Sequence, residues 1–287
     1  MISLFFIYLG LAVILYKPNI PGYILSGISM AVGHIFRPEG NFVLCIVVFA
    51  ILIYGVFDIL KDKNSLKDIK IKSLVPILSK TAILIICFNV FVQLFGYSLR
   101  AVGITDYEYK NRNVYWKFVV GLNPSTNGGY SYEDEKILNQ YPIGESLYEK
   151  EMELIKERIS NRKQLIRLMH RKFELMWSNN DYSINFISPG TNLNKKMINY
   201  MVKFEKIQYT LIMIMSFLAI LFILIDRNKY DLSICILILL ISSNWLIYLI
   251  IEIQTRYRYF IMPAFFILAG FGFKRIICRA THLKVRF

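Results

Sequence analysis

Glu252-Ile253-Gln254-Thr255-Arg256-Tyr257-Arg258-Tyr259-Phe260-Ile261-Met262-Pro263 joins two hydrophobic runs, 232–251 and 260–273. With a run of bilayer length before them and a shorter one after, residues 252–259 sit at a boundary between membrane and water, and the fold class follows from that reading. A connection this short only has to reverse the chain, which Gly, Asn or Ser would do at less cost. Arginines, a carboxylate and tyrosines stand there instead. Charge at such a place points to a partner of opposite sign, such as a lipid phosphate held by Arg256 and Arg258. The same residues also describe an interfacial anchor, with Tyr257 and Tyr259 in the aromatic belt and the arginines on headgroups.

Composition agrees with a membrane setting. Of 287 residues, 55% are hydrophobic and only 19% charged, and the charges are bunched. That excludes a soluble single-core protein and a disordered chain. The net charge of +14 could suit nucleic acid. Much of it lies beside hydrophobic runs, however, where lysine sets orientation and meets anionic lipid, so no nucleic-acid partner is expected. Cys45, Cys87 and Cys235 fall inside hydrophobic runs and Cys278 just after the last, so the polar middle has no disulfide framework. His34, His170 and His282 are far apart in sequence, and no His/Cys cluster implies a metal.

Apolar runs at 2–16, 20–36, 41–60, 73–97, 207–225, 232–251 and 260–273 predict an all-α polytopic membrane protein with about seven transmembrane helices. The first lacks a basic region before it and a small-residue cleavage site after it, unlike a signal peptide. The second carries Gly22, Gly27, Gly33, Ser26 and Ser29, small residues that let helices approach closely in lipid. Three segments result: 1–97 with helices one to four, 98–205 as a largely helical extracytoplasmic insertion, and 206–287 with helices five to seven and a basic tail. Lysines set the orientation. With Lys274, Arg275, Arg279, Lys284 and Arg286 cytoplasmic, Lys17, the Lys-rich 61–72 and 226–231 share that side. The amino terminus, 37–39, 98–205 and 252–259 fall outside. An outside amino terminus without preceding charge suggests a chain that starts partway through a larger membrane fold.

Within 98–205, residues 118–131 read Phe-Val-Val-Gly-Leu-Asn-Pro-Ser-Thr-Asn-Gly-Gly-Tyr-Ser. Amides, hydroxyls and a ring suit a sugar, and they equally suit a turn set by Pro124 and Gly128-Gly129. Ser146 and Glu149 form a capping-box pattern. Tyr148, Met152, Ile155, Ile159, Ile166, Met169, Phe173 and Met176 then recur at helical spacing, predicting one helix to about Trp177 that lies on the outer membrane surface or covers a site or, on the plainer and favoured reading, buries this stripe against the membrane domain. Asp106, Glu108, Glu133, Asp134 and Glu135 read as solvated loop charges.

Tyr115-Trp116-Lys117-Phe118-Val119-Val120-Gly121-Leu122-Asn123, then Asn127-Gly128-Gly129-Tyr130 and Glu133-Asp134, resembles the exterior loop of bacterial multi-span glycosyltransferases of the GT-C type. These belong to the superfamily of protein O-mannosyltransferases and aminoarabinose transferases. His170-Arg171-Lys172-Phe173-Glu174-Leu175-Met176-Trp177 is similar to the end of that loop's long helix. The 252–263 stretch resembles the arginine-bearing loop before the final span, and Phe36-Arg37-Pro38-Glu39 has a counterpart in a central span. The resemblance covers nearly all of this chain and the carboxyl-terminal half to two thirds of the family's length. It implies transfer of a sugar from a polyprenyl-phosphate carrier to an acceptor on the outer face of the cell membrane. Arg256, Arg258 and Arg37 would hold the carrier phosphate, while Gln254, Tyr257 and Glu252 would orient sugar or phosphate. The family's catalytic acid lies in its first exterior loop, and 37–40 does not match it. The catalytic residues are therefore unassigned, and a divalent metal is a family possibility that no residue here implies. A missing amino-terminal half or a partner subunit could complete the site. The alternative is a non-catalytic membrane scaffold or lipid-binding subunit. A transporter would need polar groups lining a path, and Asn89, Gln93 and Asn244 read instead as helix-to-helix hydrogen bonds.

Overall fold

The computed structural model describes residues 1–61, 71–110, 113–178, 183–191, 193–225 and 231–281. Most of the lysines on which orientation rests, within 62–70, at 226–230 and from 282 onward, lie outside the described residues, as does His282. The described chain is helical, with no strand among those residues. It divides into two compact units: Met1–Lys110 with Lys229–Leu240, and Asn111–Asn228 with Ile241–Phe287. The second thus joins most of the expected exterior segment to the last apolar helices.

The first unit holds α1 (Ile2–Tyr16), α2 (Ile20–Phe36), α3 (Glu39–Lys61) and α4 (Ile71–Ala101). Pro18 stops α1, and Asn19 caps α2 by accepting from the Gly22 amide at 3.0 Å. A Cβ on Gly22 would lie 1.8 Å from the Lys17 carbonyl oxygen, so this turn requires glycine. Arg37 ends α2 in extended backbone, the conformation forced on a residue before proline. The small residues of α2 do what their spacing predicts. Ser26 and Ser29 donate to the Gly10 and Phe6 carbonyls of α1, both at 2.8 Å. A Cβ on Gly27 would stand 2.9 Å from the Leu84 carbonyl of α4.

In the second unit, α5 (Trp116–Gly121), α6 (Tyr132–Leu138), α7 (Glu145–Ser160), α8 (Arg162–Trp177) and the short α9 (Ser183–Ile187) precede α10 (Lys195–Ile225). Then come α11 (Leu232–Ile250), whose second half belongs here, a 3-10 segment Thr255–Phe260, and α12 (Met262–Ala280). Val119, Leu138 and Leu147 form a small core where α5, α6 and α7 meet.

Four helices, α3, α4, α10 and α11, are long and apolar enough to cross a bilayer. The helices α1 and α2 are apolar but only 15 and 17 residues long. At ~1.5 Å per residue they span less than the ~30 Å hydrocarbon core. The helix α12 takes Lys274, Arg275 and Arg279 into its second half.

Three expectations for the exterior segment need correction. The helix does not start on a Ser146–Glu149 capping box. Gly144, at φ 153°, is the N-cap, and its carbonyl accepts the first bond from the Tyr148 amide at 3.0 Å. Nor is there one helix over 146–177. Asn161 leaves helical backbone and its side chain caps α8 by accepting from the Gln164 amide at 3.1 Å. Finally, the buried face matches the apolar stripe only in part, at Met176 and partly at Ile155. The residues turned inward are Leu147, Glu151, Leu168, Lys172 and Met176, while Tyr148, Ile159, Ile166 and Phe173 are exposed. Charged side chains win the interior because backbone carbonyls and a carboxylate await two of them, Lys172 and Arg158, as described below.

Candidate functional site

Residues 116–129 supply the floor on which the arginine-bearing connection rests. Asn123 caps its own turn, its Oδ1 accepting from the Ser125 amide at 2.9 Å. Asn127 and Gly128 then take positive φ values of 52° and 75°. That is turn chemistry, and it gives the turn reading of 118–131 its geometric content. The turn also receives a second strand of backbone. The Glu252 amide donates to the Lys117 carbonyl at 2.8 Å and the Ile253 amide to the Gly128 carbonyl at 2.9 Å. This approach tolerates no side chain at Gly121, where a Cβ would lie 2.2 Å from the Ile251 carbonyl carbon.

Lys172 locks the arrangement. Its ammonium is fully buried and donates to the carbonyls of Gly121 at 2.7 Å and of Leu249 and Ile251, each at 2.8 Å. Gly121 ends α5, and Leu249 and Ile251 bracket the end of α11, so one cation satisfies carbonyls that helix ends leave without partners. Burial pushes the Lys172 pKa down to about 7. Three acceptors match the three protons of the charged form and oppose that push. Gly128 makes room for the lysine stem, since a Cβ there would come within 2.7 Å of its Cδ and Cε.

A second, mostly buried cation braces the same turn from α7. Arg158 meets Asp134 with both guanidinium nitrogens, at 2.6 and 3.1 Å, and also donates to the Val119 carbonyl. Asn123 adds a bond to Asp134 at 2.8 Å. Asp134, expected as a solvated loop charge, is only 3% exposed. A carboxylate with a bidentate guanidinium and an amide has what burial demands. Glu133 keeps the solvated setting expected of it.

The connection itself separates the residues predicted to act together. Glu252 is buried, with Gln254 donating to its Oε1 at 2.6 Å and the Tyr257 hydroxyl to its Oε2 at 3.4 Å. Tyr257 stacks on Tyr248, ring centroids 5.6 Å apart. Arg258 is 5% exposed, its Nε donating to the Thr255 carbonyl at 3.2 Å and its guanidinium 4.9 Å from the centre of the Tyr209 ring. Arg256 is exposed and lies 5.7 Å from the Tyr257 ring, which Lys117 also approaches. A 3-10 segment turns about 120° per residue, so residues two apart face different ways. Arg37 belongs to the first unit, where its Nε pairs with Glu39 at 2.6 Å.

Arg258 opens onto a cleft of about 600 Å³. Apolar walls come from Trp177, Met213, Met262 and Phe266, and polar groups from Lys206, Glu205 and Thr210. Such a cavity suits an amphipathic anion, with the apolar part against the rings and the anionic part toward the cations. Gln254 lines a separate hollow of about 170 Å³ beside Thr126 and Asn127. Among the described residues no group of His, Cys, Asp or Glu could hold a metal ion.

Sequence reasoning missed Lys172, Arg158 with Asp134, and Lys206 and Tyr209 at the cleft. Lys172 was traceable in principle, because it stands four residues from both Leu168 and Met176, in phase with the face that is buried. Tyr209, at the start of an apolar run, has the position of an interfacial tyrosine. Compared with known proteins, the chain matches no family model, no curated protein and no solved structure.

Proposed function

We propose that this chain is a polytopic membrane protein of about seven spans, with 98–205 and 252–259 on the outer face and the basic tail in the cytoplasm. On this reading it corresponds to the carboxyl-terminal part of a glycosyltransferase that takes its sugar from a polyprenyl-phosphate carrier. The observation that carries the proposal is Arg258, a nearly buried guanidinium on the wall of an apolar cleft. A long-chain phosphate is the ligand class that needs both features at once. In the transfer, the bond from the anomeric carbon to the carrier phosphate breaks and a bond to the acceptor oxygen forms. The acceptor proton passes to a base, and the carrier leaves as a phosphate anion stabilised by Arg258 with Lys206.

Asp134 and Glu252 are already engaged, so neither is assigned as that base. Those committed carboxylates also favour the second reading, a lipid-binding subunit that is not itself catalytic.

Binding of a photoactivatable polyprenyl phosphate to the purified chain tests the proposal. Arg258→Ala should weaken capture by about tenfold or more and Arg258→Lys by less, while Arg256→Ala changes it by about twofold. Membrane insertion and thermal stability are followed in parallel. Capture by a folded Arg258→Ala variant at the level of the parent chain would defeat the assignment.

A further inference from the structure

The apolar edge of α8 is a surface that the core and the cleft leave largely uncovered. Ile166 is 68% exposed and Phe173 43%, with Met169 half-buried between them. Spacings of three and four place these residues on one side of the helix. Lys163 and Arg167 stand exposed next to that side and have no protein partner among the described residues. Arg171 is also exposed, and pairs with Glu174 at 2.7 Å. A helix facing only water has no use for the apolar edge, and one packed on protein has no use for the cations.

The carboxyl-terminal end of α8 lies against the ends of two bilayer-length helices of the same unit. Phe173 and Trp177 meet the Trp245 ring of α11 edge-on at 5.8 and 5.9 Å. Trp245 comes ~8 Å before the end of that helix, at the usual rise per residue. The Trp177 carbonyl accepts from the Tyr209 hydroxyl at 2.9 Å, near the start of the apolar part of α10. On the membrane reading, both contacts fall where a spanning helix passes into the headgroup layer.

We propose that α8 lies in the membrane surface as an interfacial helix, with Ile166, Met169 and Phe173 entering the acyl boundary and Lys163 and Arg167 binding phosphates of anionic lipids. Apolar area and opposite charge together are what such helices use, and a phosphate-bearing bilayer supplies both partners. The proposal rests on the membrane reading of the chain and is independent of sugar transfer.

A lipid crosslinking experiment on the full chain in nanodiscs decides it. The photoreactive amino acid p-benzoylphenylalanine replaces Ile166 in one sample and Phe217, an exposed residue of α10, in another. In discs containing phosphatidylglycerol, the label at position 166 should attach to lipid with a yield comparable to that at 217. That yield should fall about threefold or more in pure phosphatidylcholine, and equally in the Lys163→Glu/Arg167→Glu variant. A yield at 166 below about a tenth of that at 217 would overturn the interfacial placement. Insensitivity to both lipid charge and the double substitution would overturn the assignment to anionic lipid. No attachment at 217 itself would remove the membrane reading and this proposal together.

Discussion

The first unit and the α5–α8 layer of the second bring backbones into contact by opposite chemistry. In the first, contact depends on what is missing. Gly10, Gly27 and Gly33 leave space for a neighbouring helix, and Ser26 and Ser29 donate directly to its carbonyls. Small residues let helix backbones approach closely, and short polar bonds then join them directly. In the second, contact depends on long charged side chains. Lys172 reaches three carbonyls on two elements, and Arg158 ties α7 to Asp134 and the end of α5. The irregular backbone of 116–129 and 250–254 has carbonyls that no helix ladder satisfies, and a cation with several donors answers them.

The largest effect that would break this contrast is expected at Lys172. Lys172→Ala leaves three buried carbonyls without a donor and should cost on the order of 3–5 kcal/mol, seen as a large drop in thermal stability in detergent. A loss under about 1 kcal/mol would show that the cation is not what holds the connection. Asp134→Ala comes next, at about 3 kcal/mol, because it strands Arg158 inside the protein. Replacing Asp134 and Arg158 together by Leu and Met should cost less than the sum of the single changes, and additivity would argue against a coupled pair.

In the first unit the sharpest probe is the reverse operation, adding volume. Gly27→Leu should push α2 from α4 and cost about 1–3 kcal/mol, whereas the same change at Gly190, which faces open space, should cost little. The same lysine also makes stability depend on pH. Burial lowers Lys172 in the fold to about 7 from its ordinary 10.5, so between these values the unfolded chain binds more protons and stability rises with pH. Lys172→Met should abolish this slope in melting curves taken across that range.

The helical, membrane-directed character of the chain was legible in the sequence. Runs of apolar residues, the Gly and Ser spacing of α2 and the breaks at Pro18 and Pro38 are local signals, set by the solvent that each segment requires. The turn at 123–129 was legible for the same reason, since Asn, Pro and Gly act on their own backbone. Which face of α7 and α8 turns inward was not. Periodicity identified the stripe from Tyr148 to Met176 as the buried face; Met176 is buried, but Tyr148, Ile159, Ile166 and Phe173 are exposed, and the interior holds Lys172 and most of Arg158 as well. Burial of a charge is decided by partners that lie far along the chain, such as the Leu249 and Ile251 carbonyls for Lys172. The different surroundings of Arg256 and Arg258 have the same origin: adjacent in sequence type and spacing, they part because Tyr209 stands beside only one of them. Sequence by itself determined which segments avoid water, because hydropathy belongs to each residue, and tertiary structure decided which charges are buried, because a charge is stable inside only where the fold supplies its counterpart.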